Sequence, residues 1–478
     1  MEVKQEKKLT LKGKVGYGLG DAGGCMTFCL MSSIFQKYCT DALGISPALL
    51  GILWIIWNVW DFINDPLMGA LMDKSFAKSK NKHGKFRPWL LRSAPIVCIM
   101  FILMFSVPSL FSGVAAVCIL FALKIAYELG YTMFNIPMGS LLSAMSRNDQ
   151  ERAALSTWRG IGSAIGNMIP MVVAPMLIAQ YGGDASAKGY AIAGIACAGI
   201  GLLLSLGHYF LTYENVQSQV EVEVKNDQPA DNIKVTDILN VFKVNRPFVA
   251  LCLHGLCICL MQYISNTLAS YMYADVLGDF ALMSSATVVS APFMILVFVF
   301  GSTLAKKLGL ERMIRYSLLV SSALYVGLFL VQALVGVNPY VYMIWSGVAM
   351  GVGSVSIYMQ WGLVGEAIDY NEMVTGKRTE GSIYGTFNLS RRVGQTIGTS
   401  ASLFLLEAFG YNADLPVQSD LTLLGIKVLC VLLPGIFVLG SWAAFKFVWN
   451  INPETRAKLK AFKEGKKEEE APAVAEGE

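Results

Sequence analysis

Apolar residues in this chain gather into long, nearly uniform runs, and twelve such runs follow one another. They occupy 17–40, 47–72, 88–108, 113–143, 154–180, 189–213, 246–275, 280–305, 313–335, 339–366, 382–409 and 420–448. Each is near or above the ~20 residues that cross a bilayer as helix. In lipid a backbone amide must bond within its own segment, so runs of this kind are expected to be helices. Barrel strands would show about ten residues of alternation per crossing instead. The pattern predicts an all-α membrane protein with twelve transmembrane helices. The polar stretch 214–245 separates six from six, giving an N-terminal bundle over 1–213, a cytoplasmic linker over 214–245, a C-terminal bundle over 246–452 and a disordered tail over 453–478. Gly69-Ala-Leu-Met-Asp-Lys and Gly301-Ser-Thr-Leu-Ala-Lys sit at equivalent places in the two halves, a weak trace of duplication. Six plus six with a polar linker is the layout of a major facilitator transporter.

Composition agrees. Hydrophobic residues are 54% of the 478, charged residues 15%, and the mean hydropathy is +0.52. Soluble domains carry about 25% charged residues. A net charge of +4 gives no nucleic-acid footprint. Lys and Arg set the orientation. They crowd the N-terminus (Lys4, Lys7, Lys8, Lys12, Lys14), the second loop (Lys74 to Arg87), the even-numbered loops after it and the tail, whereas the odd-numbered loops hold one clear base, Lys188. Both termini are therefore expected in the cytoplasm of a bacterial inner-membrane protein. The charged start leads into a helix too long for a cleavable signal. All ten cysteines lie in or beside spans and read as small apolar packing residues.

Motifs for soluble catalysis are missing: the sequence has no P-loop, no HExxH and no GxSxG, and its three histidines are scattered. No enzyme activity and no cofactor are expected. Function is sought instead in ionisable residues within the spans, which are costly there and functional by default. The densest group is Trp60-Asp61-Phe-Ile-Asn64-Asp65-Pro66 in the second span. Asp61 and Asp65 are four apart, so both carboxylates lie on one helical face with Asn64 beside them. Pro66 leaves the carbonyl of Phe62 without its helical donor. Two carboxylates this close need a bound cation, a shared proton or an arginine. The other spans contribute Asp21, Lys124, Glu128, Thr132, Asn135, Arg159, Arg391 and Arg392, with Tyr358, Gln360 and Trp361 in the tenth. Lys124 and Glu128, four apart, read equally as mutual neutralisation or as functional groups. Charged and amide groups beside an aromatic ring suit a sugar, which needs hydroxyl partners and an apolar face.

Several of these residues fall in an ordered set. Gly18-Leu-Gly-Asp21, Asp61-x-x-Asn-Asp65-Pro-x-Met-Gly69, Gly84-Lys-Phe-Arg-Pro-Trp89, Asn135-Ile-Pro137 and Asp369-Tyr-x-Glu372 with Gly376-x-Arg378-x-Glu-Gly381 together resemble the glycoside–pentoside–hexuronide:cation symporters. The resemblance runs from about residue 14 to 450. It implies a major facilitator fold and uptake of sugars or glycosides driven by Na⁺, Li⁺ or H⁺. Against the melibiose-carrying members, the cation site maps onto Asp61, Asn64, Asp65 and Thr132. The sugar site maps only in part: Asp21 and Arg159 match, a helix-4 aspartate is Asn135 here, and a helix-11 lysine is Arg392. Asn135-Ile-Pro-x-Gly-Ser140 and Arg391-x-x-Gly-Gln395 look closer to the glucuronide-carrying members, which suits an anionic sugar; Lys124 and Glu128 match neither pattern.

The resulting expectation is a monomeric symporter with a cation site at Asp61, Asn64, Asp65 and Thr132. Asn64 favours Na⁺ over H⁺, because a proton needs only a carboxylate. Sugar is expected near the midplane between the two halves, touched by Asp21, Glu128, Asn135, Arg159, Trp361 and Arg392. Asp21 and Arg159 are expected to reach it from opposite sides of the first half. Asp73, Arg87, Arg152, Arg312, Glu366, Asp369 and Arg378, in the charged loops, are the expected cytoplasmic lock of an outward-facing state. Two rival readings fit the sequence less well. A Na⁺-dependent lysolipid symporter shares the aspartate pair, but the only glycosylation sequon, Asn388-Leu-Ser390, lies inside a span. A sugar sensor would normally add a signalling domain larger than 26 residues.

Overall fold

The computed structural model describes residues 9–78, 84, 86–146, 149–214, 242–336, 338–376, 380–452, 454–459 and 461–462. Most of the expected linker and tail lie outside this set. Twelve helical runs follow in order: α1 Leu11–Ser33, α2 Pro47–Lys78, α3 Arg87–Ser106, α4 Gly113–Met145, α5 Asp149–Gln180, α6 Ala187–Leu211, α7 Arg246–Tyr271, α8 Leu282–Leu308, α9 Leu310–Leu334, α10 Pro339–Thr375, α11 Glu380–Ala408, and α12, which starts as Asp420–Lys427 and resumes as Leu433–Ala443. Among the described residues there is no strand, and nine helices are long and apolar enough to cross a membrane. α1 and α11 fall short by composition, whereas α8 is searched only in part, as the apolar piece Leu282–Phe293. Of these, α1 carries Asp21 and α11 carries Arg391 and Arg392.

Glycine decides how the first helices pack. A Cβ at Gly162 would collide with the carbonyl oxygen of Gly18, and one at Gly166 with that of Ala22, so α5 lies backbone-to-backbone on α1. Across α1, Gly16 meets Leu211 and Gly23 meets Ser205 on α6. Without a hydrophobic force between helices in lipid, such close approach is what supplies the packing energy. Polar groups fasten the same seams. Cys29 Sγ donates to the Asn167 carbonyl at 3.4 Å, and Tyr127 Oη donates to Thr27 Oγ1 at 3.0 Å. All ten cysteines are free thiols.

The duplication hinted at by sequence recurs in the hydrogen bonding. Arg159 bonds Asp21 across a separation of 138 residues, and Ser390 bonds the Cys252 carbonyl across the same separation. The second pair is the first shifted by 231 residues, from 21 to 252 and from 159 to 390. α1 and α7 also end alike. After Phe35–Lys37, α1 runs into a π-helical turn, Tyr38–Ala42, and α7 runs into Met272–Val276; each turn carries an aspartate, Asp41 or Asp275. Each is followed by a glycine in the left-handed region, Gly44 (φ 65°) or Gly278 (φ 76°). Only glycine adopts that backbone at little cost.

The helices form two compact units. One comprises Met1–Pro229, Asn266–Val289 and Thr399–Cys430; the other comprises Ala230–Ser265, Ser290–Gly398 and Val431–Glu478. The first unit thus holds α1 to α6 with the α7–α8 and α11–α12 corners. Those corners are bonded to it directly: the Ala48 amide donates to Glu407 at 2.8 Å, and Ser284 Oγ donates to the Val172 carbonyl at 2.7 Å. In the second unit Asn245 Nδ2 bonds the Ala367 carbonyl at 2.8 Å, and Ser322 Oγ bonds that of Gly435 at 2.8 Å. α10 continues nine residues past the expected 366 and stops at Gly376 (φ 71°), so Glu366 and Asp369 sit inside the helix. Residues 454–459, expected in the tail, are helical, and Arg456 there bonds Glu366 at 3.1 Å.

Replacing Gly162 by leucine is expected to destroy the α1–α5 contact, because the obstacle is backbone and cannot rotate away. Overpacking of this kind costs at least 1–3 kcal/mol. Gly162→Leu should lose most of its monodisperse, detergent-extracted material on heating, whereas Gly160→Leu, which faces open space, should match the wild type.

Candidate ion and substrate site

α2 and α4 meet through a buried polar contact. Asn64 Nδ2 donates to Thr132 Oγ1 at 3.0 Å; Asn64 is wholly buried and Thr132 nearly so. The other amide atom, Asn64 Oδ1, is buried and has no hydrogen-bond partner among the described residues. An orphaned buried acceptor costs about 1–3 kcal/mol. Asp61, half-buried, lies one turn before Asn64 on α2. The side chain of Asp65 lies outside the described residues. Two of the four expected cation residues are thus joined, and a third shares their face of α2. Among the described residues no group of three His, Cys, Asp or Glu is placed to hold a metal ion, and the oxygen-bearing groups here are of mixed type: amide, hydroxyl and carboxylate.

Two turns before Thr132, Lys124 is buried on the same α4 face and ion-pairs with Glu128. Its Nζ lies 5.2 Å from the ring centre of Trp54, 5.8 Å from Trp57 and 5.5 Å from Tyr127, within cation–π reach. Asp61 is close enough to act on it electrostatically. Glu128, expected against sugar, is therefore already engaged as a counter-ion.

Asp21 and Arg159 were expected on opposite sides of the first half. Instead they bond each other, Nε to Oδ1 at 3.1 Å, because the glycine contacts bring α1 and α5 together at that level. The guanidinium keeps 40% of its side-chain area exposed, so it retains donors for a ligand. Asn135 is exposed, just short of one turn beyond Thr132 on α4. In the other unit, Trp361 packs edge-on against Phe387, and the guanidinium lying over its ring, at 5.4 Å, is that of Arg391. Arg392, the residue expected there, is exposed beside it. Arg391 was absent from the expected sugar set although it opens the motif Arg391-x-x-Gly-Gln395.

Of the expected lock residues, Asp73's side chain and Arg378 lie outside the described residues. Arg87 donates to the Tyr209 carbonyl at 2.8 Å and stacks on that ring, while Glu214 accepts from the amides of Phe86 and Arg87 and so caps α3. Arg152 donates to the Ser146 carbonyl at 2.9 Å, Arg312 is exposed, Asp369 is half-buried, and Glu366 pairs with Arg456.

A denser cluster lies at the opposite end of the first unit, away from the Lys- and Arg-rich loops. Lys37 is wholly buried, and its Nζ lies 2.7 Å from Asp41, 2.7 Å from Asp275 and 3.3 Å from Asp184. It also donates to Tyr411 Oη at 3.0 Å, and that hydroxyl donates to Asp41 at 2.8 Å. Tyr271 lies under the ammonium, its ring centre at 4.8 Å, and bonds Thr40. Sequence reading missed this cluster. Its one local signal was the Lys37–Asp41 spacing of four; the other partners come from the α5–α6, α7–α8 and α11–α12 corners.

Apolar helices long enough to cross a membrane, with charges paired inside them, fit a multi-pass membrane protein, and the family match identifies it as a transporter, not an enzyme. Residues 16–452 match the family described as MFS/sugar transport protein. The chain belongs to that family, among its glycoside–pentoside–hexuronide:cation symporters. It is 28% identical to the symporter YjmB of Bacillus subtilis (strain 168) over 96% of both chains. It is also 28% identical to the glucuronide carrier protein homolog of Escherichia coli (strain K12), over 95% of each. Among solved structures, the D-xylose-proton symporter superposes with a TM-score of 0.62 at 14% identity, covering 92% of this chain and 98% of that one.

Removing the Lys37 charge would leave three carboxylates facing one another. Breaking one partner of a buried pair typically costs about 3–5 kcal/mol. Lys37→Met should therefore open this end, and the adjacent Cys39, fully buried in the intact cluster, should react with a membrane-impermeant maleimide at least tenfold faster. Unchanged protection of Cys39 would show that the cluster does not hold the corner shut.

Proposed function

We propose that the protein is a secondary active symporter of a bacterial inner membrane, coupling inward movement of Na⁺ to uptake of a sugar. Membership of the sugar transport family supports sugar as the cargo. The observation that carries the ion assignment is the orphaned Asn64 Oδ1, held in place by the bond from its own amide to Thr132 and one turn from Asp61. A proton would need only the carboxylate; an amide oxygen left without a donor fits a metal cation, and hard cations take oxygen ligands. Asp61, Asn64, Asp65 and Thr132 would hold the ion, with H⁺ and Li⁺ as the alternatives.

The sugar is a glycoside carrying a carboxylate, such as a hexuronide. Arg391 and Arg392 supply planar donors that match a carboxylate better than lysine does, and Trp361 supplies an apolar face. The full-length similarity to a protein named as a glucuronide carrier homolog agrees with this. Both termini lie on the cytoplasmic side, and the Lys37 cluster is the external contact that must break and remake for alternating access. The protein works as a monomer in the bilayer.

Neutralising the ion site tests the coupling. Asp61→Asn and Asp65→Asn should each abolish Na⁺-gradient-driven accumulation in vesicles while retaining measurable sugar binding by calorimetry. Accumulation that survives both changes would place the ion elsewhere. Arg392→Ala tests the substrate: it should weaken a glucuronide by about tenfold or more relative to the matching neutral glucoside, since a charged hydrogen bond is worth ~1.5–3 kcal/mol. Equal losses for the two sugars would return the substrate to a neutral glycoside.

A further inference from the structure

Lys124 belongs to neither the expected ion set nor the sugar set, yet it lies beside the first. Positions 124, 128 and 132 are four apart and form one stripe on α4. Facing them, α2 presents Trp54, Trp57, Asp61 and Asn64, spaced three, four and three. The contacts fix the register of the two stripes: Trp54 and Trp57 lie at Lys124, and Asn64 lies at Thr132. Asp61 therefore falls between a fixed ammonium on one side and the orphaned amide oxygen on the other. Lys124 is 2% exposed and caged by three aromatic rings, so its charge cannot leave for solvent. Glu128 is its ion-pair partner, and Asp61 acts on it electrostatically.

We propose that Lys124 is a tethered cation that competes with the coupling ion for Asp61, and that the Lys124–Glu128 pair thereby sets the affinity and selectivity of the ion site. The proposal rests on reading Asp61, Asn64 and Thr132 as that site. A charged Glu128 draws the ammonium away from Asp61, so the ion meets more of that carboxylate's charge. When Glu128 is neutral, the ammonium turns to Asp61 and the ion meets a site already compensated. A purely structural ion pair would affect folding and leave ion affinity alone.

The test is Na⁺ titration of the purified full-length protein by calorimetry, at fixed pH, in the wild type and three variants. Lys124→Gln should lower the Na⁺ dissociation constant about tenfold or more, as expected for removing a unit charge within ~10 Å at protein-like dielectric. Glu128→Gln should raise it by a similar factor. If Lys124→Gln fails to fold with Glu128 left unpaired, the same comparison is made inside the Glu128→Gln background, where adding Lys124→Gln should again lower the constant. Constants that do not move in either background overturn the proposal and leave a structural pair. Asp61→Asn combined with Lys124→Gln tests the premise that the two readings share: tight Na⁺ binding that persists there overturns both the ion site and the competition for it, whereas Na⁺ binding lost there with constants unmoved by the Lys124 change overturns the competition alone. A wild type that binds no Na⁺ while Lys124→Gln does would show the tethered cation standing in the ion's place. If neither binds Na⁺, both readings fall.

Discussion

A charge drawn into the bilayer must be neutralised where it sits, and this constraint organises the described structure. Three bases of the first unit that are buried or part-buried within its helices each have a carboxylate within reach: Lys37 has three, Lys124 has Glu128, and Arg159 has Asp21. Two of these pairings are four residues apart on a single helix and form as soon as the helix does. The third crosses between helices and depends on the glycine contacts that bring α1 against α5. Backbone approach therefore comes first, and charge pairing follows from it.

Buried ion pairs add little net stability, because desolvation offsets attraction, yet losing one partner is costly. That asymmetry suits a protein that must pass between alternative closed arrangements. A cluster such as Lys37 with its aspartates holds firmly while complete and is lost as a unit rather than by degrees. Its aspartates lie on or beside the irregular turns Tyr38–Ala42 and Met272–Val276, where the helical ladder already departs from its regular spacing. Such π turns are frequent at functional sites. Their recurrence after α1 and α7 suggests that the duplication preserved a hinge-like ending as well as a helix count.

The spans were legible in the sequence because long apolar runs have one solution in lipid. Helix ends were less so: α10 continues through polar Asp369, Asn371 and Glu372, of which Asn371 and Glu372 are buried and Asn371 bonds Thr375 on the same helix. The Asn64–Thr132 contact was anticipated through family resemblance, though the orphaned state of Asn64 Oδ1 is visible only in three dimensions. Arg159 and Asp21 were anticipated as ligands but not as partners, since nothing in the one-dimensional spacing tells which side of α1 meets α5. The Lys37 cluster was least legible. Its partners Asp275 and Tyr411 are 238 and 374 residues away, a distance no helical periodicity reaches.

Coupling is the central claim, and the most direct measurement follows both species in the same vesicles. Radiolabelled Na⁺ and a radiolabelled glucuronide, traced together through the reconstituted protein, should enter at a fixed ratio that does not vary with the glucuronide concentration. Glucuronide entry down its own gradient should then draw Na⁺ inward with no Na⁺ gradient applied. Sugar that accumulates against its gradient while no Na⁺ moves would contradict the account.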